Sequence, residues 1–475
     1  MGCLNAACKP ANSTIYMKVA LISPRILNPE ITRAGNNMPS SSITGLGYIA
    51  AYLRQAGHTA LIFAPDSTRT TMETVWEGLE KFKPDIVGVS VLTDNFMEAR
   101  KVVAEAKRRC ACPVIMGGPH ANALPRSTLE GLPALDAVIM GEGELPMLAL
   151  ATEFDRNGAV DFNCVPGAAF IKDGQYRQNP LMELIADLDI LPYPALDLVS
   201  GSALQRGAPA DGPGGNAVIF SSRGCPAQCT FCANRIMGRR FRARSPLNVV
   251  GEMEFLQKKY GTKRFSFFDD CFTADTRRTA EICDLIIKKD MAITWTFNGR
   301  VNTLLDGSFI ALLKRAGCAG VLMGIETSSQ RLSDLMKKGT TPAQAEASCA
   351  LLRKHGIPYI CCFMLGNEGE TLATALDTIA FAAKLKPVAA TFTTTIPFPG
   401  TVLFEKYYKD FDKPDTDWTN WATEIGVRTY EPRHTALSGR ALRCLRLWAF
   451  LRFYSNPFQI FRMLSELYAP DVKPG

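Results

Sequence analysis

The chain has 475 residues, 47% hydrophobic and 21% charged, which excludes a disordered protein and is too long for one ordinary core. Its 53 Lys and Arg against 46 Asp and Glu give a formal charge of +7 with no long basic run, which permits an anionic substrate or a membrane surface but argues against nucleic acid as a partner. Fifteen cysteines scattered over this length do not make a secreted disulfide scaffold. The start, Met1-Gly2-Cys3-Leu4-Asn5, lacks a charged stretch leading into an apolar one, and no apolar run is long enough to span a bilayer, so the expected location is cytoplasmic.

Residues 1–17 read as an extension. From Lys18 the chain alternates. Val19–Ile22 is a strand candidate and 43–55 has helical spacing, with Leu46, Ile49 and Leu53 on one face and Gly57 at the end. Strands at 60–63, 85–90, 113–116 and 137–140 alternate with helices at 72–82 and 95–108. The strands are almost continuously apolar, which predicts a doubly wound parallel α/β sheet over 18–150 with its ligand beyond the C-terminal strand ends. Residues 151–215 read as a connector, with a strand pair turned at Asp173-Gly174 and a Gly- and Pro-rich stretch from Gly207 to Gly215 that marks a boundary or a lid. A second alternation fills 216–400. Its strands are expected at 217–222, 264–268, 293–297, 320–325, 358–364 and 389–395, and its helices at 247–259, 276–288, 306–315, 342–354 and 371–384. That is a partial (β/α)6 barrel, with chemistry at the C-terminal strand ends. Residues 401–475 are expected to be mainly helical, with aromatics and arginines interleaved over Leu442–Phe453 and Phe458–Tyr468. Helices packed on the barrel explain that pattern, and so does a surface that touches a membrane or roofs an apolar pocket.

Directly after the first barrel strand comes Arg223-Gly224-Cys225-Pro226-Ala227-Gln228-Cys229-Thr230-Phe231-Cys232. Three thiolates at this spacing can hold three irons of a cubane and leave a fourth open to a bidentate ligand. A structural zinc site is the alternative, but it would want a second ligand pair that is not nearby. Cys110, Cys318, Cys349 and Cys361 read as small buried hydrophobes, while Cys271 follows two acids at a strand end and can face the site.

The CxxxCxxC run, with Phe231 before its third cysteine, resembles the cluster motif of the radical S-adenosylmethionine superfamily. The resemblance implies a [4Fe–4S] cluster on Cys225, Cys229 and Cys232, with S-adenosylmethionine on the open iron as the source of a 5′-deoxyadenosyl radical, and an electron donor such as flavodoxin or ferredoxin. It also implies that Phe231 helps seat adenine, that Asp269 and Asp270 hold the methionine ammonium or a nearby polar group, that Arg300 faces its carboxylate, that Glu326 reaches a ribose hydroxyl and that Gly366 offers flexible backbone near the ligand. Pro397-Phe398-Pro399-Gly400-Thr401 matches a run common in this branch.

The first domain lacks GxGxxG in its first turn and instead resembles the cobalamin-binding domain that often precedes such a barrel. The matching elements are Ser90-Val91-Leu92, Gly117-Gly118-Pro119-His120 and Gly141-Glu142-Gly143-Glu144. They imply cofactor contacts at Ser90, Leu92, Gly117, Gly118, His120, Glu142 and Gly143, with Ser90 donating to the tail base. None of the four histidines (His58, His120, His355 and His434) occupies the loop where many cobalamin domains carry a cobalt ligand, so no histidine is expected on the lower face. Pro39-Ser40-Ser41-Ser42 before Gly45-Leu46-Gly47-Tyr48 reads either as a helix cap or as a contact for a phosphate or corrin side chain.

The expected activity is methyl transfer from methylcobalamin to an unactivated carbon of a small-molecule or lipid-like substrate, such as a polyprenoid, a tetrapyrrole or another natural product. Cobalamin-dependent cyclisation, ring contraction or oxidation stays open beside it. A non-enzymatic carrier and an RNA-modifying enzyme are the other classes, and the modest charge speaks against the second.

Overall fold

In the computed structural model, residues 16–25, 41–68, 70–202, 215–419, 421 and 431–455 are described. Strand β1 (Lys18–Ile22) sends Val19 and Leu21 to one face of a sheet and Ala20 and Ile22 to the other, and both faces are buried. It pairs in parallel with β2 (Thr59–Phe63) and β3 (Ile86–Ser90), and β4 (Val114–Gly117) and β5 (Ala137–Ile139) continue the sheet. The order β2-β1-β3-β4-β5 places a topological switch between β1 and β3, where ligands of such sheets bind. Helices α1 (Ser41–Gln55) and, later in the chain, α4 (Glu144–Asn157) cover one face, through residues such as Leu46, Leu53, Met147 and Leu150. Helices α2 (Met72–Phe82) and α3 (Phe96–Arg109) cover the other, through Val75, Leu79, Val102 and Val103.

The strand pair in the expected connector belongs to this sheet. β6 (Ala168–Lys172) adds antiparallel to β5, and β7 (Gln175–Gln178) adds to β6. Asp173 and Gly174 both have positive φ, 52° and 72°, as a two-residue hairpin turn matched to strand twist requires. The chain then runs back along α1, packing Ile185, Leu188 and Leu191 against Tyr48 and bridging Val199 to Ile62. The Gly- and Pro-rich stretch from 207 to 214 and the serines at 39 and 40 lie outside the described residues.

The second sheet adds its strands in sequence order, all parallel: β8 (Asn216–Ile219), β11 (Arg264–Phe267), β12 (Thr294–Gly299), β13 (Cys318–Glu326), β14 (Tyr359–Leu365) and β15 (Ala389–Thr394). β8 and β15 do not pair with each other, so the barrel is open. Between them run α5 (Pro246–Tyr260), α6 (Thr276–Lys288), α7 (Gly307–Arg315), α8 (Pro342–Lys354) and α9 (Leu372–Leu385). The predicted helices fall within two residues of these bounds because their caps are explicit: Ser245, Asp275, Asp306, Thr341 and Thr371 each accept a backbone N–H of the first turn. A two-stranded hairpin, β9 (Ser222–Arg223) with β10 (Arg242–Ala243), brackets the cysteine run.

After β15 the chain returns to the first sheet. Phe404, Tyr408, Trp418 and Trp421 join the apolar cluster that holds Ala121, Leu124 and Leu129, so the short helix Val402–Tyr407 and the chain after it form an aromatic buttress. Helix α10 (Gly439–Tyr454) packs Leu442, Leu445, Ala449 and Phe453 on the barrel core, and Tyr454 Oη bonds both polar groups of Ala390. The predicted stretch Phe458–Tyr468 lies outside the described residues. No helix among the described residues is long and apolar enough to cross a membrane.

Candidate active site

The C-terminal strand ends of the two sheets border one cavity of about 380 Å³. Leu21, Gly88, Ser90, Leu92, Gly117 and Gly118 form part of its wall on the first sheet. Phe220, Ser222, Gly224, Phe268 and Asp270 line it from the barrel. Gly141, Glu142, Gly143 and Glu144 close one side, with Gly45, Tyr48 and Ile49 from α1.

Small residues make the wall. A Cβ on Gly45 or Gly141 would meet no atom within 4 Å and would project into open space. Gly118 is more constrained: its φ is +98°, and a Cβ there would lie 2.6 Å from the Val91 carbonyl oxygen and 2.8 Å from its nitrogen. Only glycine lets that turn rest directly on the Ser90–Leu92 backbone.

The cysteine run follows β9 as irregular chain. Cys225 is buried, and Cys229 and Cys232 are half-buried. Burial pushes the Cys225 thiol up and the Cys232 thiol to about 11, and Cys229 adds to both shifts, as close neighbours do. Among the described residues no three His, Cys, Asp or Glu converge on a point that could hold a single metal ion. A cubane asks for a different arrangement, because its three thiolates bond three different irons.

The loop is held from several sides. Asp269 is fully buried and accepts from Ser221 N at 2.7 Å, from the Ser221 hydroxyl and from the Ser222 hydroxyl at 2.6 Å. The Asp269 carboxylate ties the end of β11 to the chain that enters the loop. Asp269→Ala would orphan three buried donors and cost roughly 3 kcal/mol or more. A lower urea midpoint together with poorer iron retention would register that loss, and an unchanged midpoint would refute the role. Asp270, the next residue, faces the cavity.

Arg300 stands over the loop. Its Nη1 lies 3.8 Å from Cys229 Sγ, and its Nη2 donates to the Lys338 carbonyl. Met336 O accepts from Thr230 N at 2.9 Å, so residues 336–338 strap the loop from the far side. Phe231 has the Lys338 ammonium 5.9 Å from its ring centroid.

Three further residues of the expected site have partners within the chain. Glu326 Oε1 is paired with the buried Lys338 ammonium at 2.7 Å. The Gly366 N–H is donated to Glu370, and a Cβ on Gly366 would meet Leu442 of α10. His120 is turned away from the cavity. It stacks on Phe96 at 4.0 Å, meets Trp418 edge-on at 5.1 Å and bonds Thr93 through Nδ1. Burial drops its pKa to about 3, so it is a neutral core side chain. None of the four histidines lines the cavity. Cys271 is buried beside Cys225 and Arg300.

Burial lifts the Glu370 carboxyl to about 7 from 4.5, although it accepts from the amides of Gly366 and Asn367. A carboxyl raised on folding favours the neutral acid, so its stability contribution is complete below about 4.5 and drains away as pH rises through about 7. The full swing is about 3 kcal/mol. Glu370→Gln should flatten the fall in melting temperature between pH 5 and 8, and an equally steep fall in the variant would contradict the assignment.

Sequence reading passed over Arg223, Arg242, Arg244, Glu144, Tyr48 and Lys338. The available signal was the alternation Arg240-Phe241-Arg242-Ala243-Arg244, which places Arg242 and Arg244 two residues apart in extended chain beside the cysteine run.

Comparison with known proteins fits this geometry. The profile of the Radical SAM superfamily matches residues 219–382, and that of the B12 binding domain matches 42–151. The chain is 31% identical over 460 residues to an uncharacterized methyltransferase, PH0819, of Pyrococcus horikoshii, covering 96% of each protein. The chain belongs to the cobalamin-binding radical S-adenosylmethionine enzymes. It is also 31% identical over 416 residues to the anaerobic magnesium-protoporphyrin IX monomethyl ester cyclase of Rubrivivax gelatinosus, covering 86% of this chain and 73% of the cyclase. In fold it resembles the radical S-adenosylmethionine methyltransferase TsrM of Kitasatospora setae, with a TM-score of 0.68, 20% identity and 82% and 75% of the two chains covered. The cobalamin-dependent radical enzyme OxsB gives a TM-score of 0.65 at 18% identity, covering 78% of this chain and 52% of OxsB.

The cofactor set that goes with membership of the cobalamin-binding radical S-adenosylmethionine enzymes is a [4Fe–4S] cluster, S-adenosylmethionine and cobalamin, and the reaction is radical chemistry on a carbon substrate. The residues present fit that set. Three soft thiols lie on one loop beside Arg300 of the barrel, and Gly45 and Gly141 border the cavity with open space where a Cβ would stand.

Proposed function

We propose that this enzyme transfers a methyl group to an unactivated carbon of an apolar small molecule. The observation that carries the reading is a cavity walled by the strand ends of both sheets. Bound together, the cofactors supply a hydrogen-abstracting 5′-deoxyadenosyl radical and a transferable methyl group. The chain supplies placement, since a primary radical left unguided attacks protein or solvent. Cys225, Cys229 and Cys232 hold the cluster, and Phe231, Asp270, Arg300 and Glu326 flank the S-adenosylmethionine side. Ser90, Leu92, Gly117, Gly118, Glu142 and Gly143 border the corrin side. Phe220 and Phe268, their rings 6.3 Å apart edge to face, give the wall between them an apolar surface suited to a hydrophobic substrate. A flavodoxin or ferredoxin supplies the electron.

The relative from Pyrococcus horikoshii, similar over nearly the whole of both chains, is named a methyltransferase and supports this reading. The similarity to the cyclase of Rubrivivax gelatinosus favours a second one, ring closure or oxidation without methyl transfer. Anaerobic reconstitution with cobalamin, reductant, S-adenosylmethionine and cell extract separates them by product mass. A product heavier by one CH2, formed alongside 5′-deoxyadenosine, is expected. Loss of hydrogen or gain of oxygen in its place would overturn methylation in favour of the second reading.

A further inference from the structure

Between the two sheets lies a buried cluster of charge. Arg223 and Arg242 face each other across the β9–β10 hairpin, a pairing of like charges that costs stability by itself. Both reach into the run Gly141-Glu142-Gly143-Glu144 of the other sheet. Glu142 Oε1 accepts from Arg223 at 3.0 Å and from Arg242 at 2.8 Å, and its Oε2 accepts from Arg242 at 2.9 Å and from Ile185 N at 2.9 Å. Glu144, the first residue of α4, takes Arg223 Nη2 at 2.6 Å and Nη1 at 3.3 Å. Both carboxylates and Arg242 are at least nine-tenths buried. The two arginines hold the Glu142 carboxyl below its usual range in spite of that burial. Two positive and two negative charges thus close on one another, and removal of any one leaves a buried charge uncompensated. A second contact runs alongside: Tyr48 of α1 bonds Arg244 at 3.1 Å, and Arg244 is paired with the buried Glu252 of α5.

This clamp joins two places that matter. Its acidic half borders the cavity with Gly141 and Gly143. Its basic half includes Arg223, separated from Cys225 by one glycine whose Cβ would lie 2.5 Å from the Arg240 carbonyl oxygen. A shift of the Glu142–Glu144 loop cannot occur without loading the chain that enters the cluster loop. We propose that Arg223 is a positioning residue which, held by Glu142 and Glu144, couples cobalamin binding in the cavity to cluster binding on the adjoining loop. The inference rests on the cofactor sites assigned above and goes beyond them, because it makes the two sites thermodynamically dependent.

Linkage requires the coupling to be reciprocal, so it can be read from binding alone. Hydroxocobalamin is titrated anaerobically, by absorbance, into the cluster-free protein and into the cluster-reconstituted protein. The wild type should bind it more tightly when the cluster is present, by roughly tenfold. In Glu144→Gln, which removes one charge of the clamp and keeps its shape, that ratio should fall towards one while both cofactors still bind. Arg223→Lys keeps the charge but not the fork, and should give an intermediate ratio; it also serves if the first variant melts too early to titrate. A structural role alone would lower the melting temperature and leave the ratio untouched. A wild-type ratio of one, or a ratio in Glu144→Gln equal to that of the wild type, overturns the coupling alone. Failure of the wild type to bind cobalamin in either state overturns the cofactor reading and the coupling with it.

Discussion

Cys229→Ala is expected to abolish 5′-deoxyadenosine formation while cobalamin still binds, at the affinity of the cluster-free protein. The thiol sits in the middle of the loop, with the Arg300 guanidinium 3.8 Å from its sulfur. Alanine leaves two protein ligands for a cluster that needs three, and it also removes the acceptor that faces a half-buried cation. The cobalamin side keeps every residue of its wall, because Cys229 does not border the cavity. Normal deoxyadenosine yield from the reconstituted variant would reject the cluster assignment. Loss of cobalamin binding in parallel would instead mean that the loop had collapsed.

Gly118→Ala is the complementary change on the other sheet. A methyl group there would lie 2.6 Å and 2.8 Å from backbone atoms of Val91, which cannot move aside as a flexible side chain would. The φ of +98° adds strain for any residue with a Cβ. Val91 N donates to Gly117 O at 2.9 Å and His120 N to Val91 O at 3.4 Å, so the displacement would open the junction between β3 and β4. The expected cost is roughly 3 kcal/mol, with cobalamin affinity reduced at least tenfold and the iron content of the cluster site preserved. Unchanged cobalamin binding in this variant would show that the cavity wall there does not touch the cofactor.

The alternation of strands and helices was legible because both sheets are parallel and buried on both faces. Their strands therefore read as apolar runs, and their helices start at explicit caps such as Asp275 and Thr341. The cysteine motif was legible for a different reason: its three ligands are local in sequence. What could not be read was pairing across long separations. Asp269 and Glu326 stand at strand ends, as a ligand-binding acid would, yet their partners, Ser221 and Lys338, come from other elements. His120 follows the glycine pair but faces Phe96 and Trp418, and Trp418 comes from a segment nearly three hundred positions later. The strands at 168–178 looked like a connector because a hairpin is a local signal, and its attachment to β5 is not. The arginines of the interdomain clamp had no partners in sequence at all. Only the fold buries Arg242 and Arg244.

Electron paramagnetic resonance of the reduced, anaerobically reconstituted wild type, with and without S-adenosylmethionine, tests most directly whether three thiolates leave one iron open to that ligand. The account predicts a [4Fe–4S]+ signal that changes shape when S-adenosylmethionine is added. A protein that takes up zinc in place of iron, or a cluster signal indifferent to saturating S-adenosylmethionine, would contradict it.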